Sequence, residues 1–229
     1  FNFTNKLTIG EIILVTGAFN AFANTMYIVG FSNMTGLIHV LNGADKETEL
    51  PRFIAENFDE TKLVKALSEC EMASAVVITL STKLGIAKNL ISDWQNFRDL
   101  QIPTIFAVSD LANNDLDFDD FHPIIGKILE PVLTPYLVLH GEDGSAAGLI
   151  ELQTLQIIDY SNGKIEIRPA DIEHQELVHD FQYELLEVAD QEWSSFTNGT
   201  NCIAIPIDSK NRIGLMQIEK FLDLIPSVS

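Results

Sequence analysis

The chain of 229 residues is long enough for one large α/β domain or a domain with an insertion, and its 46% hydrophobic content is typical of a soluble globular protein. Its 33 acidic residues against 14 Lys plus Arg give a net charge of −19, which repels phosphate backbones, so we expect no direct nucleic-acid binding. No apolar run approaches the roughly 20 residues of a membrane span, and FNFTNKLTIGEIILV at the start lacks the basic leader of a signal peptide.

The first half of the chain alternates apolar runs with helical patterns. The predicted strands are Thr8 to Val15, Ala73 to Leu80 and a run that Pro103 opens and Ser109 ends. The predicted helices are Asn24 to about Asn33, Asp59 to Glu71, and Ile86 to Leu100, the last with Ile91, Trp94 and Leu100 on its apolar side. Strands of continuous Val, Ile and Leu that alternate with helices indicate a parallel sheet covered on both faces, whose ligands bind at the carboxyl ends of the strands.

The pattern changes after Asp110. A strand at Tyr136 to Leu139 leads through HGEDGSAAG to two β-like runs, LIELQTLQIIDY and KIEIRP, separated by the turn signal Ser161-Asn162-Gly163. An acidic helix from about Ala170 to Glu192 follows, and the strand NCIAIPI and the helix IGLMQIEKFLDLI close the chain. We therefore predict a core of residues 1–140 and 198–229, interrupted by a β-hairpin-and-helix insertion at 141–197.

Three stretches resemble the GTPase domain of elongation factor G. YLVLHGEDGSAAGLIELQTLQIIDY is similar to the family's P-I-G-x-E-x-x-F-x-G strand end and the V-I-D-L run that continues it. ELVHDFQYELLEVAD resembles the helix of the family's inserted subdomain, and IGLMQIEKFLDLIPSVS resembles its closing helix. The residues that correspond in the first stretch are Gly141, Glu142, Gly148, Leu149, Ile150, Glu151 and Leu152.

The resemblance implies a P-loop NTPase-like fold that binds GTP and Mg²⁺, in a translational GTPase that associates with the ribosome. The family's phosphate loop, G-x-x-x-x-G-K-[ST], aligns with residues 17–24, which begin Gly17-Ala18-Phe19-Asn20. Phe22 stands at the position of the second glycine, Ala23 at that of the lysine and Asn24 at that of the Mg²⁺-binding hydroxyl. The Phe22 side chain is too large for a loop that wraps a phosphate, and without the lysine the phosphate has lost its counter-charge. Thr25 can still cap a helix at this point.

The other nucleotide motifs have also diverged. The D-x-x-G motif falls at Arg52-Phe53-Ile54-Ala55, Glu56 takes the place of the water-positioning His, and the segment from Gly36 to Pro51 leaves little room for a switch region and two edge strands. The guanine motif N-K-x-D reads Ser109-Asp110-Leu111-Ala112, without the base-binding carboxylate, and S-A-[KL] reads Asp208-Ser209-Lys210. The vestigial nucleotide cleft that this alignment predicts comprises Gly17, Asn20, Asn24, Thr25, Ser109, Asp110, Asp208 and Ser209.

Other patterns have simpler interpretations. DLDFDD, at residues 115–120, lacks the glycine of a calcium loop and favours a capped, acidic first helical turn. The histidines show no paired metal spacing, and Ser81 lacks a G-x-S-x-G context, so we predict no metal and no catalytic residue. Cys70 and Cys202 lie in apolar stretches, which favours buried free thiols in a reducing cytoplasm.

Three functions remain open at this point. The first is a pseudo-GTPase domain that serves as a structural or interaction module of an elongation factor G-like protein, without a cofactor. Its partner would be the ribosome or the ribosomal stalk, reached through the acidic inserted helix or through other domains. The second is a translational GTPase with residual GTP binding through unorthodox contacts, and the third is an α/β domain that binds an unrelated small molecule in the vacated cleft.

Overall fold

The fold is that of a computed structural model, which describes residues 25–32, 35–41, 55–56, 73–86, 91, 94–95, 98–99, 101–111, 116–161, 163–189, 192–208 and 211–225. Before residue 57 the description covers the backbone alone. The predicted strand at residues 8–15, the aligned phosphate loop and the predicted helix at residues 59–71 lie outside these ranges.

A mixed, mainly parallel sheet of seven strands forms the larger layer. Its strands are β1 (Thr25–Ser32), β2 (Thr35–Leu41), β3 (Ala55–Glu56), β4 (Ala73–Ser81), β5 (Thr104–Ser109), β6 (Val132–Leu133) and β11 (Cys202–Pro206), in the order β3-β2-β1-β4-β5-β11-β6. β1 runs antiparallel to both of its neighbours, and every other pair is parallel. The predicted α/β class with a mainly parallel sheet is therefore confirmed.

The centre of this sheet is its most buried part. Every residue of β5 and β11 is buried, as their continuous runs of Ile, Phe, Val and Ala require when both faces of a strand are covered. Trp94, which is in helical conformation and 4% exposed, packs on Phe106 of β5 with a ring separation of 5.3 Å. Trp94 thus lies on the apolar side of its helical segment as predicted, whereas the same prediction for Ile91 is wrong, because Ile91 is 40% exposed.

The predicted helix from Asn24 to Asn33 is wrong. Residues 25–32 form β1, which pairs with β2 as a hairpin closed by the pair Ser32 and Thr35. The run TMYIVGFS is rich in β-branched and aromatic residues, and pairing with β2 and β4 stabilises it as a strand. The stretch from Gly36 to Pro51, expected to lack room for edge strands, contains most of β2, which pairs in turn with β3.

An antiparallel sheet of four strands forms a second layer. It comprises β7 (Tyr136–His140), β8 (Ala146–Glu151), β9 (Gln156–Asp159) and β10 (Glu166–Pro169), in chain order. The predicted hairpin around Ser161 to Gly163 is present between β9 and β10, and Gly163 has the positive φ of +68° that such a turn favours. The sheet already begins with β7, because Tyr136 to His140 pairs with β8 and not with the core strands, whereas the insertion was predicted to start at residue 141.

Four helices are described with defined ends: α1 (Phe118–Ile128), α2 (Ile172–Val188), α3 (Ser194–Thr197) and α4 (Leu215–Leu224). Asp117 caps α1 by accepting from the backbone N–H of Asp120, which confirms the capped acidic turn predicted for DLDFDD. Asp171 caps α2 in the same way through His174. None of the helices in the described ranges is long and apolar enough to cross a membrane.

Polar and aromatic contacts join these elements. Phe221 of α4 packs edge-on against Trp193 and Phe196, at ring separations of 4.9 and 5.5 Å. Arg98 donates to Glu130 at 2.6 Å, and the thiol of Cys202 donates to the same carboxylate at 3.0 Å. Cys202 is a buried free cysteine as predicted, and burial, followed by the charge of Glu130, raises the pKa of its thiol; Cys70 lies outside the described residues.

Candidate functional site at the carboxyl ends of the parallel strands

Three adjacent parallel strands end at one edge of the large sheet. In the register of β4 and β5, Ser81 is opposite Ser109, and in that of β5 and β11, Val108 is opposite Pro206. The residues that follow, Thr82, Asp110 and Asp208, therefore leave the sheet at the same edge. Open sheets of this kind bind ligands at the carboxyl ends of their strands, which makes this edge the candidate site.

A short hydrogen bond joins the first two of these strand ends. The hydroxyl of Ser81, which is fully buried, donates to Oδ2 of Asp110 at 2.5 Å. The same hydroxyl oxygen accepts from the backbone N–H groups of Lys83 at 3.2 Å and Leu84 at 3.1 Å. Asp110 has a φ of 61°, a left-handed conformation that Asp tolerates better than most residues. Its carboxylate is thus held against the end of β4.

Two further hydroxyls bond to the backbone of this edge. Ser109 donates to the carbonyl oxygen of Leu80 at 3.1 Å, and Thr82 donates to the carbonyl oxygen of Asp110 at 2.6 Å. The backbone N–H of Thr82 also donates to the carbonyl of Ser109 at 3.2 Å. The polar groups at the ends of β4 and β5 therefore bond to one another, and these bonds hold the two strand ends together.

The carboxylate of Asp208, just after β11, accepts hydrogen bonds from its own loop. The side-chain amide of Asn211 donates to Oδ2 of Asp208 at 2.7 Å, and its backbone N–H donates to Oδ1 at 3.3 Å. Asp208 and Ile213 also exchange backbone hydrogen bonds of 3.1 and 2.9 Å, which close the loop before Gly214 and α4. Asp208 thus acts as a turn residue, a common use of Asp at such positions.

The structure brings together only some of the residues predicted for the nucleotide cleft. Ser109, Asp110 and Asp208 lie at the same edge of the sheet. Thr25 begins strand β1 and does not cap a helix, since no helix starts there. Gly17, Asn20, Asn24 and Ser209 lie outside the described residues.

Sequence reasoning missed two members of this edge, Ser81 and Thr82. Ser81 was set aside because it lacks the context of a hydrolase nucleophile, and no described hydrogen bond joins it to a histidine. Their position in the sequence could have identified them, because this Ser-Thr pair directly follows the apolar run ASAVVITL, at the point where a parallel strand ends.

The polar side chains described at this edge bond to one another and to nearby backbone groups. Its bonded groups are carboxylates and hydroxyls, and the two carboxylates, Asp110 and Asp208, oppose the approach of a phosphate. Within the described ranges, no three His, Cys, Asp or Glu side chains are grouped so that they could hold a metal ion. Of the aligned cleft residues, only Ser109, Asp110 and Asp208 have described side chains, and none of the three is a cation that could pair with a nucleotide phosphate.

Comparisons with known proteins define the fold alone. No protein-family model and no curated protein matches the chain. A crystal structure of a protein from Thermus thermophilus is similar, with a TM-score of 0.63 and 18% sequence identity, over 89% of this chain and 32% of that one. At this identity the similarity shows a shared α/β fold, and this chain spans about a third of its neighbour's length.

Proposed function

We propose that this chain is a pseudo-GTPase domain that serves as a structural and interaction module of an elongation factor G-like protein in the cytoplasm. The observation that carries the proposal is the hydrogen bond between Ser81 and Asp110 at the edge where a guanine base would bind. A guanine site needs a carboxylate that accepts two hydrogen bonds from the base. Here the aligned carboxylate position is Ala112, and the neighbouring Asp110 already bonds within the protein.

The chain path beside the aligned phosphate loop supports the same conclusion. A phosphate loop leads from a strand into a helix whose first N–H groups bind the phosphates. Here the residues after Asn24 form β1, which runs antiparallel to β4 and has no helix N-terminus to offer. The substitution of Ala23 for the lysine removes the counter-charge as well.

Helix α2 supports the interaction part of the proposal. It contains no Lys or Arg, and Glu173, Glu176, Asp180, Glu184 and Glu187 are all exposed on it. Several large apolar side chains on the same helix are at least half exposed: Ile172, Leu177, Tyr183, Leu186 and Val188. Apolar side chains among charges of one sign suit a partner with a basic, partly apolar surface, such as a ribosomal or stalk protein.

Calorimetric titration with GTP and GDP, with and without Mg²⁺, tests the pseudo-enzyme part. We expect no saturable heat and no phosphate release above the buffer blank, with or without ribosomes, because the aligned lysine and metal ligands are missing. Turnover that disappears in Asp110→Ala or Glu56→Ala would instead establish the residual GTPase. Heat from GTP alone, without turnover, would establish a nucleotide-binding module.

Co-sedimentation with ribosomes tests the interaction part. Leu177→Lys replaces an apolar side chain of the acidic α2 surface by a positive charge. Because this side chain is 75% exposed, the substitution should weaken binding without unfolding the chain. Leu84→Lys, at a side chain that is 69% exposed outside α2, is the matched control and should bind normally. Equal binding by both variants would show that α2 is not the docking surface.

A further inference from the structure

The outer edge of the antiparallel sheet is uncovered. Among the described residues, strand β10 pairs with β9 alone, and all four residues of β10 are exposed. Ile167 is 61% exposed, and Ile165, just before the strand, is 44% exposed. An edge strand with unpaired backbone groups is a template on which another strand can pair. This edge is therefore a candidate interaction surface.

The hydrogen-bond pattern determines which backbone groups of β10 face outwards. The backbone N–H of Ala170 donates to the carbonyl of Leu155 at 2.8 Å, in continuation of the register between β10 and β9. Alternate residues of an antiparallel strand bond to the same neighbour, so the backbone groups of Glu166 and Arg168 also face β9. The N–H and C=O of Ile167 therefore point away from the sheet, towards the uncovered side.

The side chains of β10 are complementary to those of a second β10 strand. Glu166 and Arg168 flank Ile167 and lie on the same face of the sheet, since successive side chains alternate. When two copies pair antiparallel with Ile167 opposite Ile167, each Glu166 lies opposite the Arg168 of the other copy. Opposite charges in this position stabilise strand pairing. The Arg168 side chain is 46% accessible and 4.0 Å from Asp171, so its guanidinium is open to a second carboxylate.

The same two charges disfavour the neighbouring registers. Outward-facing backbone groups must lie opposite each other, so the next registers are centred on Glu166 and on Arg168. The first places two Glu166 carboxylates directly opposite, and the second places two Arg168 guanidinium groups opposite, which is destabilising. A register centred on Ile165 would extend the pairing into the turn at Gly163, before the strand begins. The charges of β10 thus favour pairing centred on Ile167.

From these observations we propose that two copies of the chain associate through β10, so that their four-stranded sheets form one continuous antiparallel sheet. Two hydrogen bonds join the Ile167 residues, and each Ile165 N–H donates to the Pro169 carbonyl of the other copy. Pro169 faces outwards like Ile167, so its missing N–H removes no bond to β9, as is typical of an edge strand.

The dimer is weak and depends on concentration. The pairing segment is short, and interfaces below roughly 1,200 Å² are typical of transient complexes. The net charge of −19 on each copy also opposes association, and physiological salt screens this repulsion beyond about 8 Å. The contact does not use the α2 side chains proposed to bind the ribosome, so either proposal can fail without the other.

Sedimentation equilibrium of the full chain at physiological ionic strength, over a wide range of concentrations, measures the association. We expect a reversible monomer–dimer equilibrium. Glu166→Arg and Arg168→Glu should each weaken association roughly 10-fold or more, because two symmetric pairs change from attraction to repulsion. Glu142→Arg, the same charge change at an exposed turn residue, is the control and should dimerise like the wild type. A wild type that stays monomeric at every concentration would overturn the proposal.

A mixture of the two variants tests the register. Alone, Glu166→Arg places arginines opposite each other and Arg168→Glu places glutamates opposite each other. In an equimolar mixture every arginine lies opposite a glutamate, so heterodimers should form, and the double variant should dimerise on its own. Glu166→Arg makes the net charge less negative, so general repulsion cannot explain its loss of association. Single variants that dimerise like the wild type, or a mixture that does not associate, would contradict pairing through β10.

Discussion

Lys220 of α4 donates a 2.6 Å hydrogen bond to Oε1 of Glu151 at the end of β8 and so ties the antiparallel sheet to the last helix. Tyr136 donates to the same oxygen at 3.1 Å, and Thr154 donates to Oε2 at 2.5 Å. Burial alone would raise the pKa of Glu151, but the hydrogen bonds from Lys220, Thr154 and Tyr136 and the charge of Lys220 lower it overall. The two partners differ in exposure, because 55% of the Lys220 side chain is accessible and only 10% of that of Glu151.

This difference predicts that removing the cation destabilises the fold more than removing the carboxylate charge. Lys220→Met leaves a buried carboxylate without its counter-charge, and we expect a loss of about 2–3 kcal/mol in the free energy of unfolding at pH 7. Glu151→Gln lets Lys220 return to water and should cost about 1 kcal/mol. Denaturant unfolding measures both, and Arg168→Met, which removes a cation from an exposed 4.0 Å pair, is the near-neutral control.

The same pair predicts an acid dependence. The pKa of Glu151 in the fold is below its ordinary 4.5, so its contribution to stability is complete above pH 4.5 and is lost as the pH falls through the lower, folded value. The deficit of Lys220→Met should therefore shrink in acid. A deficit that stays constant down to about pH 2, below the ordinary range of carboxyl pKa values, would show that the lost packing of the lysine stem causes it.

Asp119 predicts the opposite pH dependence. Burial, and then the neighbouring charges of Asp117 and Asp120, raises its pKa from 3.8 to about 6, whereas His140 lowers it. Its Oδ1 is buried without a hydrogen-bond partner among the described residues. Because the folded state binds this proton more tightly than the unfolded state, the group destabilises the fold progressively as the pH rises from about 4 to 6.

Asp119→Asn should therefore stabilise the protein at pH 7 by about 1–2 kcal/mol, allowing for solvent screening of a part-exposed group, and have no effect below about pH 4. Thermal unfolding at both pH values is the measurement. Asp120→Asn, one residue further along and exposed, is the control. Equal stabilisation by both substitutions would indicate general relief of the negative net charge.

Substitutions at Gly199 and Gly163 distinguish two ways in which an added side chain lowers stability, an unfavourable backbone conformation and a steric clash. Both have a positive φ, +73° and +68°, but a Cβ at Gly199 would overlap the carbonyl group of Gln101, whereas one at Gly163 meets no atom within 4 Å. We expect Gly163→Ala to cost about 1 kcal/mol, for the backbone conformation alone. Gly199→Ala should cost roughly 3 kcal/mol or more, because the backbone must move as well. Similar losses in equilibrium unfolding would contradict the predicted clash.

The sequence analysis located those helices and strands whose secondary structure follows from the local residue pattern. ASAVVITL and TIFAVS are rich in β-branched residues and form strands, and the spacing in IGLMQIEKFLDLI is helical, so the local preference of each segment agrees with its structure. β1 was missed although TMYIVGFS is rich in β-branched and aromatic residues, because alignment with a phosphate loop placed a helix start at Thr25. Its pairing with the distant strand β4 could not be predicted from the local sequence.

The candidate site could be predicted only in part for a similar reason. The strand ends at Ser109 and Asp208 follow directly from the apolar runs, so their common edge was expected. The bond from Ser81 to Asp110 crosses 29 positions and depends on the left-handed backbone of Asp110, which no local pattern specifies.

The Ser81–Asp110 bond yields the last prediction, on both stability and function. Ser81→Ala removes one donated and two accepted hydrogen bonds at a fully buried position, so the free energy of unfolding should fall by about 2–3 kcal/mol. Ser145 makes the same kind of bond to Asp143, at 2.6 Å on an exposed turn, and Ser145→Ala should change stability by less than about 0.5 kcal/mol. Calorimetry with GTP on Ser81→Ala is the second measurement. We expect no saturable heat, because separating Asp110 from Ser81 does not supply the carboxylate missing at Ala112. A variant that gained GTP binding would identify Asp110 as a guanine-binding carboxylate that Ser81 occupies, and would overturn the pseudo-GTPase proposal.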